Sequence, residues 1–145
     1  MKKTLITLSG PTASGKTKFS IKLAKELNCD IISSDSRQFY KEMSIGTAVP
    51  TKKELKSVTH HCIQHKSIFD IYTIKDYQDE ALRIIKDKLK INNYIIMVGG
   101  SGLYMDSVIN GLDKFPDINN QVRKDLNSKF EKFGIQYLQK ELKKI

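Results

Sequence analysis

An α/β fold, a parallel β-sheet flanked by helices, is what this sequence predicts, and three observations predict it. Short apolar runs recur along the chain and end at glycine or a carboxylate, amphipathic segments of helical period separate them, and the residues that follow each run suit the binding of an anion. Thr4 to Ser9 (TLITLS) is β-branched and stops at Gly10-Pro11, as a buried parallel strand entering a loop does. Lys16 to Leu27 then sets Phe19, Leu23, Ala24 and Leu27 at helical spacing, which predicts a helix packed through that face.

Asp30 to Ser34 (DIISS) reads as a second buried strand, and a polar stretch from Asp35 to about Thr59 carries Gly46 and Pro50 as loop markers. Thr73-Ile-Lys-Asp76 resembles a capping box, so a helix is expected to start there with Tyr77, Ala81, Ile84, Ile85 and Leu89 on its apolar face. Tyr94 to Val98 (YIIMV), closed by Gly99-Gly100, gives a third strand, and Leu103, Val108 and Ile109 suggest a short helix packed on the sheet. Strand, helix, strand, helix, strand implies right-handed crossovers, with ligand sites beyond the carboxyl ends of the strands. Three loops should meet there: Gly10 to Thr17, Asp35 to Tyr40, and Gly99 to Tyr104. After Pro116 the pattern changes to Val122, Leu126 and Phe130 at four-residue steps, a helical pair turning at Phe133-Gly134.

The 145 residues suffice for one compact core, and 39% apolar with 28% charged residues excludes a disordered chain. A net charge of +9 favours anionic partners, with the excess denser towards the C-terminus. No apolar segment reaches the length of a signal peptide's core or a membrane span, and Cys29 and Cys62 fit two reduced thiols, so a cytoplasmic protein without membrane contact is expected. His60, His61, Cys62 and His65 are metal-ligand types. Their spacing matches no standard zinc site, and adjacent histidines point apart on regular backbone. Lys140, Lys143 and Lys144 read as a solvated helix face.

Gly10-Pro11-Thr12-Ala13-Ser14-Gly15-Lys16-Thr17 fits G-x-x-x-x-G-K-[ST] between a predicted strand and a predicted helix, the context this phosphate-binding motif requires. The sheet is therefore expected to be P-loop NTPase-like. Glycines let backbone N–H groups and the positive helix end face phosphate oxygens, Lys16 adds a full charge, and the Thr17 hydroxyl suits Mg2+. Whether phosphate is transferred or merely leaves is not determined by the cradle. Asp35, at the end of the second strand, is a candidate general base or acceptor-holding residue, with a helix cap or loop salt bridge as the plain alternative.

GPTASGKT at 10–17, DSRQFY at 35–40, GTAVP at 46–50, the His60-His61 pair, VGGSGLY at 98–104 and GLDKFPDIN at 111–119 together resemble the tRNA dimethylallyltransferase family in order and spacing. The resemblance implies transfer of the dimethylallyl group of dimethylallyl pyrophosphate to N6 of an adenosine beside the anticodon, with pyrophosphate leaving and Mg2+ assisting. It implies Asp35 as general base, Asp35, Ser36, Arg37 and Gln38 as the grip on the target nucleotide, and Ser101, usually Thr in the family, beside the bridging oxygen and the tRNA. Arg123 matches a basic residue that contacts tRNA, and the His pair is given a structural role. Val49 stands where many relatives carry Lys.

Family members run to about twice this length, so the resemblance divides the chain into a P-loop core at 1–115 and the start of a helical tRNA-binding insertion at 116–145, a truncated N-terminal part whose activity is in doubt. The expected partners are the tRNA anticodon stem-loop and the prenyl donor, with the protein a monomer. A carboxylate is a weak base towards an exocyclic amine, so the proton must move as the C–N bond forms, or burial must raise the base's pKa. The target base must leave its stack, for which Arg37, Phe39 and Tyr40 offer charge and stacking, unless the aromatic pair packs in the core. Three other readings remain: prenyl transfer to free adenine nucleotide, a small-molecule kinase, and a binding module that grips pyrophosphate or RNA without turnover.

Overall fold

In the computed structural model, which describes residues 2–114 and 118–144, four strands form one all-parallel sheet in the order β1-β4-β2-β3. The strands are β1 (Thr4–Ser9), β2 (Ile31–Ser33), β3 (His60–His61) and β4 (Tyr94–Gly99). The helices are α1 (Lys16–Leu27), α2 (Lys52–Ser57), α3 (Ile74–Ile91), α4 (Gly102–Ile109) and α5 (Asn120–Leu142). The bounds of β1 and α1 fall where the sequence places them. The second strand is shorter than expected, α2 lies in the polar stretch expected to be loop, and β3, for which no strand was expected, follows just past its end.

The parallel pleat sorts the core into two layers. Ile96 of β4 and Ile31 of β2 face α1, where Ile21 and Ala24 are buried with Cys29, and Leu23 and Leu27 pack against them. Ile95 and Met97 face the other way, onto Tyr77 and Ala81 of α3 and Met105 and Val108 of α4. All five apolar residues expected on α3 join this layer. Two expected faces shift. Phe19 is 56% exposed and Ser20 is buried in its stead, its hydroxyl donating to the Thr17 carbonyl at 2.9 Å. On α4 only Val108 of the three expected residues is buried, Leu103 being 66% exposed. β1 is only half-buried where a buried strand was expected, because it lies at one end of the sheet and pairs with β4 alone.

Local chemistry explains the helix starts. Thr73 caps α3 through the expected box, its hydroxyl accepting from the Asp76 N–H at 3.2 Å while the Asp76 carboxylate accepts from the Thr73 N–H at 2.8 Å. Thr51 and Glu54 form the same box at α2, so Thr51-Lys-Lys-Glu54 was a readable signal for a helix too short to show a period.

The chain divides into two compact units, one running to Leu112 and the other starting at Asp113. The boundary expected at 115/116, with Pro116, lies outside the described residues. In the second unit, helical geometry breaks once inside α5, at Gly134 (φ 72°, ψ −179°), so two helices meet at the predicted turn. Asn119 caps the first of them, its side-chain oxygen accepting from the Gln121 N–H at 2.9 Å. Val122, Leu126 and Phe130 on that helix are exposed. No helix among the described residues is long and apolar enough to cross a membrane.

Beneath β2, Asp30 accepts from Lys88 at 2.8 Å and from His61 at 2.9 Å. Burial pushes the Asp30 carboxyl up, but hydrogen bonds and charge from Lys88 and His61 outweigh it and hold the group below its usual range. A carboxylate depressed in the folded state stabilises the fold above its unfolded pKa, about 4, and loses that contribution as pH falls through the folded value. Asp30→Asn should therefore lower stability at neutral pH and flatten the acid limb of a urea-unfolding series below about pH 4.

Candidate active site

The three predicted loops do leave the same rim of the sheet, and one close approach brings two of them together. A Cβ at Gly99 would lie 2.5 Å from the carbonyl carbon of Ser34 and clash with its hydroxyl. Only glycine lets the end of β4 press against the residue after β2, where the Ser34 N–H donates to the Val98 carbonyl at 2.8 Å. Tyr77 clamps the same end of β2 from α3, its hydroxyl donating to the Ser33 carbonyl at 3.0 Å.

Gly15 is the N-cap of α1 in the left-handed region (φ 84°), and no side chain caps the helix, so its first N–H groups face outward for an anion. Ala13 is left-handed as well (φ 65°), which curls the loop from Gly10 to Thr17 into the expected cradle. Lys16 folds over it, Nζ donating to the Gly10 carbonyl at 2.6 Å and to the Pro11 carbonyl, with Ser14 Oγ at 3.5 Å.

A cavity of about 360 Å³ opens beside this cradle, and Thr12, Lys16, Thr17 and Asp35 all line it. A second, of about 230 Å³, is lined by Ser36, Arg37, Gly46, Thr47, Gly100 and Ser101. Thr12 and Asp35 line both. Asp35 Oδ1 accepts from the Arg37 N–H at 3.1 Å, which fixes the carboxylate at the turn after β2. The Thr17 hydroxyl and the Asp35 and Glu54 carboxylates supply the first cavity with oxygen donors, the hard type that Mg2+ takes.

Ser101 ties the loops after β4 and β2. Its hydroxyl accepts from the Ser36 N–H at 3.1 Å and lies 3.3 Å from the Ser36 hydroxyl. Gln38 is buried, its amide donating to the Thr47 and Ala48 carbonyls at 3.2 and 3.1 Å while its oxygen accepts from Ser33 Oγ at 3.0 Å. It anchors the 46–50 segment, and so Val49, against the site. Arg37 is exposed. Phe39 is fully buried, stacked on Tyr77 at 5.1 Å between centroids, and Tyr40 packs against the same cluster, so the aromatic pair belongs to the core. Arg123 lies on α5 in the second unit, exposed to solvent.

The four residues of the His/Cys stretch separate. His61 binds Asp30, whereas Cys62, His65 and Glu80 bring one ligand atom each within 4.8 Å. Glu80 is already taken by Lys66 at 3.3 Å and by the Tyr72 hydroxyl at 2.9 Å, and burial pushes the Cys62 thiol up to about 12, so this trio has the character of a packed, hydrogen-bonded core cluster with its thiol protonated. Both cysteines are free and buried. His60, which composition alone could not assign, lines the first cavity.

A glycine-rich anion cradle between the first strand and first helix of a parallel sheet defines a P-loop α/β protein, here with a carboxylate at the end of the neighbouring strand. The IPP transferase family profile matches residues 38–145, and the chain belongs to that family. It is 54% identical over 143 residues to the tRNA dimethylallyltransferase of Flavobacterium johnsoniae, a match covering 99% of this chain and 46% of that relative. It is 55% identical over 141 residues to the same enzyme of Flavobacterium psychrophilum, covering 97% and 46%. Among solved structures, the full-length tRNA isopentenylpyrophosphate transferase from Bacillus halodurans superposes with TM-score 0.74 at 38% identity, over 99% of this chain and 48% of that one. A eukaryotic dimethylallyltransferase acting on tRNA gives 0.72 at 27% identity, over 83% and 31%. The chain thus spans about half the length of the curated relatives it matches.

Ser101→Ala would remove the acceptor for the Ser36 N–H and should speed hydrogen exchange at that amide by about tenfold, the equivalent of one hydrogen bond. Ser101→Thr should leave its protection unchanged.

Proposed function

We propose that this chain carries the donor cradle and the base of a tRNA dimethylallyltransferase, moving a dimethylallyl group from dimethylallyl pyrophosphate to N6 of an adenosine next to the anticodon. The observation that supports this most is the shared position of Asp35 and Thr12, which line both the cradle's cavity and the one beside it. A carboxylate between two cavities can meet a prenyl donor from one side and a nucleobase from the other. Family membership supports the same reading independently.

In this reaction the outward N–H groups of α1 and the Lys16 ammonium hold the pyrophosphate and take up the charge that grows on it. The Thr17 hydroxyl would hold Mg2+, which when bound adds further charge neutralisation on the leaving group. The lone pair of N6 forms a bond to the allylic carbon, the carbon–oxygen bond breaks with its electrons going to pyrophosphate, and the N6 proton passes to Asp35. Proton transfer and C–N bonding reinforce each other, because the amine becomes acidic as it alkylates. Ser101, tied to Ser36, lines the second cavity, and Arg37 offers an exposed cation to RNA. Gln38 serves this grip indirectly, by holding the loop at Thr47 and Ala48. Arg123, on the second unit, would contact the tRNA backbone. The protein would act as a cytoplasmic monomer.

Protein, Mg2+, labelled dimethylallyl pyrophosphate and an anticodon stem-loop are the ingredients of the test, with AMP in a parallel arm. Asp35→Ala should cut label transfer to RNA by at least about a hundredfold, the usual contribution of a general base, while donor affinity stays within about twofold. Equal transfer by mutant and parent would remove Asp35 from its role. Transfer to AMP alone, or phosphate transfer from ATP, would overturn the tRNA reading.

A further inference from the structure

The two cavities at the rim of the sheet differ in a respect that the proton path does not use. Among the described residues that line the second, each is polar, charged or glycine. The first carries apolar side chains beside the cradle, those of Val49, Pro50, Ile63 and Val98. Val49 and Ile63 are half-buried, yet among the described residues neither packs into either layer of the core. Val98 shares the side of Ile96 on β4, so it lies on the α1 layer, the side of the sheet that carries the cradle.

Gln38 holds the segments that carry both Val49 and Ile63. Its side-chain amide donates to the Thr47 and Ala48 carbonyls at 3.2 and 3.1 Å, and its backbone carbonyl accepts from the Gln64 N–H at 2.8 Å. Ala48, Cys62 and Gln64 are left-handed, at φ 51°, 57° and 48°, a conformation that persists in residues other than glycine where the surroundings impose it. Val49 precedes Pro50, which confines its backbone to extended geometry, and its β-branch leaves the side chain few rotamers. Apolar side chains without a core partner, on segments held this firmly, suit a preformed contact with a ligand.

A prenyl pyrophosphate has the matching halves. Its pyrophosphate suits the N–H groups of α1 and Lys16, whereas its tail has no polar atom and gains only by leaving water. Of the two cavities, the first is the one with apolar surface for that tail, and Asp35 lines it too. A lysine at position 49, as in many relatives, would extend a cation over this surface, and Val49 leaves it apolar. The cavity's volume of about 360 Å³ stands at the small end of the range of about 300–1,000 Å³ for ligand pockets, so a pyrophosphate with one isoprene unit suits it better than one with two.

Building on the donor-site reading above, we propose that Val49, with Ile63 and Val98, seats the isoprenoid tail of the donor, and that Val49 is a specificity-determining residue that limits the tail to five carbons. Val49 thereby selects among prenyl pyrophosphates and takes no part in holding pyrophosphate itself.

Calorimetric titration of the chain with inorganic pyrophosphate, dimethylallyl pyrophosphate and geranyl pyrophosphate, each with Mg2+, tests this without reliance on turnover. The parent should bind dimethylallyl pyrophosphate about tenfold more tightly than pyrophosphate, from burial of a few methyl and methylene groups, and more tightly than the ten-carbon geranyl donor. Val49→Thr, equal in shape with a hydroxyl in place of a methyl, should weaken dimethylallyl pyrophosphate by about fivefold and leave pyrophosphate within about twofold. Val49→Ala should lower the preference for five carbons over ten by at least about fivefold. Equal affinity of the parent for dimethylallyl pyrophosphate and pyrophosphate, an equal loss of both in the Thr variant, or a length preference that the Ala variant retains would each overturn the proposal. Should the Ala variant fail to fold, Val49→Ile takes its place: its extra methylene should weaken geranyl more than dimethylallyl pyrophosphate, and equal effects on the two overturn the proposal. If the parent binds neither pyrophosphate nor dimethylallyl pyrophosphate, the donor-site reading itself is what fails, and this proposal falls with it.

Discussion

The site depends on one close contact between backbones. With no Cβ at Gly99, the end of β4 can lie against Ser34, and the segments beyond β2 and β4 leave the sheet side by side. The Ser101 hydroxyl then reaches the Ser36 N–H, and Asp35, between the two, faces the space beside the cradle. Any side chain at position 99 would push these strands apart by more than a hydrogen bond tolerates, so the geometry of the carboxylate is set by a residue with no side chain of its own.

Most of the architecture was legible because parallel strands buried on both faces write themselves as continuous apolar runs. β1, α1, the cap of α3 and the turn at Gly134 all sit where pattern and cap chemistry put them. β3 was not legible for a physical reason: it is two residues long, both histidines, and exists only because β2 offers a parallel edge to pair with. Phe19 misled for another reason. Helical spacing fixes which residues share a face, but the sheet decides how the helix is rotated, and a small hydroxyl that bonds its own helix, Ser20, sits more closely on β2 and β4 than a phenyl ring.

The cradle and Asp35 were visible as motifs and core packing of Phe39 was one of two readings left open, whereas the anchoring part of Gln38 was not visible. Gln38 ends the stretch that family resemblance assigns to the target nucleotide and Phe39 follows it, and both turn inward, Gln38 to three polar partners and Phe39 into an aromatic cluster with Tyr72, Tyr77 and Tyr104. Between Asp35 and Tyr40 the backbone must present some side chains to the cavity and spend others on holding the turn, and a motif records both kinds without distinguishing them. His60 is the converse case. Its adjacency to His61 suggested one shared structural task, yet the pleat of a two-residue strand sends the two rings to opposite layers.

Electrostatics explains why the cradle can serve a leaving group as well as a transferred one. Lys16 lies folded onto the carbonyls of its own loop, so its charge is already held at the loop, and in the proposed reaction it would stand where charge builds on the pyrophosphate. Thr12 and Asp35 are shared by the linings of the two cavities, so under the proposed reading a nucleobase in the second cavity would meet a carboxylate rather than the Lys16 cation. In the proposed reaction, positive charge on one side of the carboxylate and a proton-bearing amine on the other would give the polarity an alkyl transfer requires. A kinase would need its cationic groups to follow the phosphoryl group across towards the acceptor, whereas Arg37 is exposed and lines only the second cavity.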